Sequence, residues 1–90
     1  MNNREKHKEI TFSHNDINED LYNLYKTSSY LAVDTEAMGL IHGRDRLCLI
    51  QICNESNLTA CIKIDLNNPE SPNIKKLFED EKIMKIFHYA

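Results

Sequence analysis

The chain has 90 residues, 41% of them hydrophobic, and a formal charge of −3 at pH 7. Those values fit one small domain with apolar residues enough for a core. They exclude a protein held to nucleic acid by bulk positive charge, while leaving room for a site whose cations are bound metal ions.

Met1 to Glu9 is polar and charged, and reads as a frayed arm rather than a secretion signal. No apolar run approaches the ~20 residues of a membrane span, so a cytoplasmic protein is expected. Ile10-Thr11-Phe12 can form a short edge strand. Ser13-His14-Asn15-Asp16 is turn chemistry. A helix over 17–26 should follow, with Ile17, Leu21, Leu24 and Tyr25 on one face. Thr27-Ser28-Ser29 ends it.

Tyr30 to Glu36 reads as a strand, and Gly39 to Arg46 as a flexible connection. Leu47 to Cys53 is almost continuously apolar and suits a central strand covered on both faces. If Gln51 is buried there, it needs a hydrogen-bond partner, which is a structural role. Thr59 to Leu66 is a further strand, with Ile62 and Ile64 on one face and Cys61 and Lys63 on the other. Asn67 to Asn73 holds both prolines and forms a loop. Ser71 or Asn73 can cap a helix to about Asp80, with Ile74, Leu77 and Phe78 inward. Ile83 to Phe87 is a last strand, leading to His88. Short connections favour an antiparallel meander for the strands at 30–36, 47–53 and 59–66. The helical crossover lets the last strand lie parallel to the first of these. The three cysteines, Cys48, Cys53 and Cys61, make no CxxC pair and read as reduced, buried thiols.

Asp34 and Glu36 are two positions apart, so on a strand they share a face. Two such carboxylates repel unless a cation sits between them. Hard ions such as Mg²⁺ or Mn²⁺ take oxygen ligands of this kind. The plain alternative is a polar strand end entering a loop.

The string Leu31-Ala-Val-Asp-Thr-Glu-Ala-Met-Gly-Leu40, followed by Arg44-Asp-Arg-Leu-Cys-Leu-Ile-Gln-Ile-Cys53, resembles the first motif of the DEDD 3′–5′ exonucleases, in their ribonuclease D branch. The resemblance extends more thinly from Asn15-Asp16 to Lys85-Ile-Phe-His88. It implies an α/β, ribonuclease H-like mixed sheet. Residues 1–90 would be the N-terminal portion of a single exonuclease domain. It implies that Asp34 and Glu36 are catalytic ligands of two divalent cations, Mg²⁺ or Mn²⁺, with Asp34 touching both ions and Glu36 one. The family's two further aspartates lie beyond position 90, so a companion segment or chain would supply them. The implied substrate is the 3′ end of single-stranded RNA, with DNA-directed proofreading as an alternative. A fragment acting only as a nucleic-acid or protein binding module is another. Leu40 matches a position against the terminal base, although Met38 and Leu40 could equally pin the loop to the core. His88 matches a polar position near the substrate. Its residue type alone fits a histidine satisfied at a strand end. His42, Arg44 and Arg46 read as solvated loop charge.

Overall fold

The computed structural model describes residues 9–41 and 45–89. Residues 1–8 of the arm expected at 1–9, together with His42, Gly43 and Arg44, lie outside the described residues; Glu9 belongs to the first strand instead. The elements in chain order are β1 (Glu9–His14), α1 (Glu19–Tyr25), β2 (Tyr30–Ile41), β3 (Asp45–Asn54), β4 (Leu58–Asp65), α2 (Pro72–Glu79) and β5 (Met84–Tyr89). They build one five-stranded sheet in the order β1-β4-β3-β2-β5. The α/β mixed sheet is that of a ribonuclease H-like fold. β2, β3 and β4 form the antiparallel meander, and β5 lies parallel to β2. The fifth strand is β1, which adds to β4 in parallel and forms one edge.

The core lies on one face of the sheet. Leu31 and Val33 of β2, Ile52 of β3, and Ala60, Ile62 and Ile64 of β4 are buried there. They meet Ile17, Leu21 and Tyr25 from the α1 side and Ile74 and Leu77 of α2. Period-two alternation selects these strand residues, and a four-residue spacing selects Ile17, Leu21 and Tyr25. Leu24, expected on that stripe, is 57% exposed. α1 is only seven residues long, and its inward stripe is narrow enough to exclude Leu24.

Two polar anchors fix the helices to the sheet. The Tyr25 hydroxyl lies 2.9 Å from the Leu58 carbonyl and 3.2 Å from that of Ile52, so its single hydrogen is shared between neighbouring strands. Burial holds the phenol well above its ordinary pKa, with Cys53 and Cys61 adding to the shift. At α2, Ser71 occupies the N-cap but its side chain does not cap. The Asp16 carboxylate does so instead, accepting from the backbone N–H groups of Asn73 at 2.9 Å and Ile74 at 3.0 Å. The Ser71 hydroxyl donates to the Asn15 carbonyl. Asn15 has φ 70, a left-handed conformation that asparagine tolerates, and its side chain accepts from the Asp65 N–H.

The strand expected to be covered on both faces is covered on one. Ile50, Ile52 and Asn54 of β3 face the helices, whereas Leu47 and Leu49 are half-buried and Gln51 is exposed. The cysteines are likewise half-buried rather than buried.

Asp16→Ala removes the acceptor for two helix-end donors, and should lower stability by about 1–2 kcal/mol in urea unfolding. A second expectation concerns pH. Tyr25 has a raised pKa in the fold, so its contribution is complete below the unfolded tyrosine pKa of about 10 and is lost as pH rises beyond it. Urea midpoints measured across the alkaline range should fall more steeply for the wild type than for Tyr25→Phe.

Candidate functional site

β2 runs further than the glycine at position 39 suggests, reaching Ile41. Its pairing with β3 slips at one point: Ala37 sits opposite Cys48 and Gly39 opposite Leu47. Met38 is therefore the extra residue of a β-bulge, and its side chain is exposed. Such a bulge bends a strand and re-aims the side chains beyond it. Leu40 lies past the bulge, in register with Arg46; the structure does not describe its side chain.

Before the bulge the strand is regular. Leu31 and Val33 are drawn into the core, which commits Asp34 and Glu36 to the opposite face. Both are exposed. The neighbouring strands set their surroundings. Asp34 pairs with Gln51 of β3 on one side and with His88 of β5 on the other. Gln51 pairs in turn with Cys61, and Cys61 with Phe12. A single row thus crosses the whole sheet on its open face: Phe12, Cys61, Gln51, Asp34, His88. Glu36 lies in the adjacent row, beside Leu49. Asp34, Gln51 and His88 line one concavity with Ala32, Val33 and Cys53.

Of the residues singled out in the sequence, Asp34, Glu36 and His88 share one face at the middle of β2. Met38 stands at the bulge just beyond. The structural role read for Gln51 is conditional on its burial, and that condition is not met. Gln51 is exposed, and its side chain borders Asp34. The signal lay in the one polar residue of an apolar strand, but its partner depends on a register the sequence does not display.

Among the described residues, neither the Asp34 nor the Glu36 carboxylate is hydrogen-bonded or ion-paired to a protein group. Two uncompensated carboxylates two residues apart suit a hard divalent cation. The donor set is partial: among the described residues no group of three or more His, Cys, Asp or Glu is placed to hold a metal ion.

A family profile described as 3′–5′ exonuclease matches residues 10–90. The chain belongs to the 3′–5′ exonuclease domain family. Solved nucleases carry the same fold. One, described as the apo form of the nuclease, is 33% identical with a TM-score of 0.69, over 88% of this chain and 37% of its own. NrnC of Brucella melitensis with bound Mg²⁺ is 40% identical with a TM-score of 0.68, over 89% of this chain and 38% of its own. The same nuclease bound to pGG is 38% identical with a TM-score of 0.68, over 91% of this chain and 39% of its own. The chain therefore spans under two fifths of the length of those structures. Comparison with curated proteins gives no match. Among the described residues, no helix is long and apolar enough to cross a membrane.

Proposed function

We propose that this domain contributes the first carboxylate pair of a metal-dependent 3′–5′ exonuclease of the ribonuclease D type, which hydrolyses 3′-terminal phosphodiesters of single-stranded RNA. The observation that carries the reading is the placement of Asp34 and Glu36 on the open sheet face, without a partner among the described residues and beside a concavity that His88 also lines. Family membership and the Mg²⁺-bound and pGG-bound NrnC structures support it.

In this reading Asp34 and Glu36 are catalytic residues that hold divalent cations, Mg²⁺ or Mn²⁺. A pair of such ions activates water and stabilises the leaving oxygen in phosphodiester hydrolysis. Asp34, flanked in its row by Gln51 and His88, would be the shared ligand, and Glu36 would bind from the adjacent row. His88 donates to a phosphate or sugar oxygen of the terminal nucleotide. Met38 and Leu40, at and beyond the bulge, contact the terminal base. The remaining carboxylates come from a segment outside these 90 residues, in the same polypeptide or a companion one.

A second reading is favoured by the partial ligand set. Here the 90 residues act without catalysis, as a binding module for nucleic acid or protein. A 5′-labelled single-stranded RNA and the matching DNA, incubated with Mg²⁺ or Mn²⁺ and this domain joined to the segment that supplies the remaining carboxylates, discriminate between these outcomes. Shortening of the RNA from its 3′ end, reduced to background by Asp34→Ala and by chelation, is the expected result for the exonuclease. Trimming of DNA alone would replace it with the DNA-directed, proofreading-type reading. Metal binding that depends on Asp34, with neither strand trimmed, would favour the binding module.

A further inference from the structure

Two rows of side chains run side by side across the open sheet face, and both begin at β1. Phe12 heads one, followed by Cys61, Gln51 and Asp34. His14 heads the other, followed by Lys63, Leu49 and Glu36. Both rows reach the acidic pair on β2. At β1 and β4 they begin with an aromatic ring, an ammonium and an imidazole. Phe12 is 78% exposed, more than any other large apolar side chain described. A phenyl ring left in water gives up the stabilisation that burial would bring. Lys63 and His14 are exposed as well. Among the described residues, neither of their side chains is hydrogen-bonded or ion-paired. The next residue along the same side of β4 is Asp65, whose carboxylate accepts from the Asn67 N–H at 3.0 Å instead. Phe12, Ser13, His14 and Lys63 line an open concavity of about 320 Å³.

We propose that this corner of the sheet is a subsite for single-stranded nucleic acid: a base stacks on Phe12, and Lys63 and His14 hold the adjoining phosphate. For the direction of the strand the proposal rests on the exonuclease reading above, which it extends from the cation site to the strand leading into it. The ligand class follows from the grouping of side chains. An exposed aromatic face beside a cation matches an unpaired base and its phosphate, and stacking is tolerant of base identity. Lysine meets a phosphate as a point charge, and a histidine ring N–H can donate to one of its oxygens. The chain carries a net charge of −3, so most of its surface repels phosphate. Lys63 offsets that repulsion locally, on the face that holds Asp34.

The sheet sets how far upstream the contact falls. β4 and β3 separate β1 from β2, and three inter-strand steps of about 4.8 Å place Phe12 roughly 14 Å from Asp34. A stacked strand rises about 3.4 Å per nucleotide, so one whose 3′ end lies at Asp34 reaches Phe12 after about four nucleotides, and after fewer if it is extended. The subsite therefore grips the strand behind the nucleotide being removed.

The chain contains no tryptophan, so Phe12→Trp places a single fluorophore in the subsite while keeping an aromatic face. Titration of that variant with a single-stranded RNA of six adenosines, in chelator, should quench its emission, and adding Asp34→Asn should leave the quenching in place. Anisotropy of the same RNA, end-labelled, should show binding to the wild type weakened at least about 5-fold by Phe12→Leu, which keeps an apolar side chain but removes the ring. Lys63→Ala should reduce the slope of log affinity against log salt by about 0.7. All three positions tested are exposed, so these substitutions spare the core. RNA binding that is absent, or indifferent to Phe12→Leu and Lys63→Ala, would overturn the subsite. So would a ring that serves only self-association, with sedimentation altered by Phe12→Leu and no RNA bound. Mn²⁺ binding lost in Asp34→Asn, measured on the same preparations, would show that the cation site stands even then. RNA binding that follows Phe12 and Lys63, with Mn²⁺ binding indifferent to Asp34→Asn, would uphold the subsite and reject the cation site.

Discussion

The alternation of side chains along β2 governs everything on the functional face. Leu31 and Val33 are drawn beneath the helices because burying two aliphatic side chains is worth several kcal/mol. A strand has no other freedom once those two are inside. Ala32, Asp34 and Glu36 must project from the other face, and a slip of one residue would drive both carboxylates into an apolar core. The hydrophobic core therefore orients the acidic pair without touching it.

The same constraint acts through the neighbouring strands. Ile52 in β3 and Ile62 in β4 are fixed inward, so Gln51 and Cys61 are fixed outward, in line with Asp34. The crossover through α2 delivers β5 in parallel beside β2 and brings His88 to the other flank of Asp34. Asp16 holds the start of that crossover by capping α2, and Tyr25 locks α1 to the β3–β4 hairpin. Stability and site geometry are thus linked: the helix anchors lie on one face, and they determine which atoms appear on the other.

Much of this is legible in the sequence, for reasons that can be named. Asp-x-Glu at the end of an apolar strand fixes a shared face whatever the strand's neighbours are. The meander and the parallel return come from short connections and one helix-length crossover. Other features depend on information that the sequence carries only collectively. Leu47–Cys53 looks doubly covered because a continuous apolar run does not say how many of its faces meet helices; in the described residues both helices lie on one side. Leu24 fits a helical stripe by spacing, yet a seven-residue helix buries too narrow a strip to include it. Gly39 suggests a loop, but at a bulge the strand continues through it. Whether Gln51 is buried, and which residue it faces, depends on sheet coverage and pairing register.

The open face also carries exposed apolar side chains, among them Phe12 and Met84, on the same side as Asp34. A face that is apolar at its edges and acidic between them explains how so acidic a chain can belong to a nuclease family: binding of the phosphate backbone need not rely on fixed positive charge if cations occupy the carboxylates. The central claim is that the cation site lies on this face, centred on Asp34. Line broadening by Mn²⁺ in a backbone amide spectrum tests it most directly. Broadening strongest at Asp34 and its row partners Gln51 and His88, with the amides of α2 much less affected, is the predicted result. Broadening centred instead on the acidic stretch Glu79 to Glu81, or spread evenly over the surface, would contradict the account.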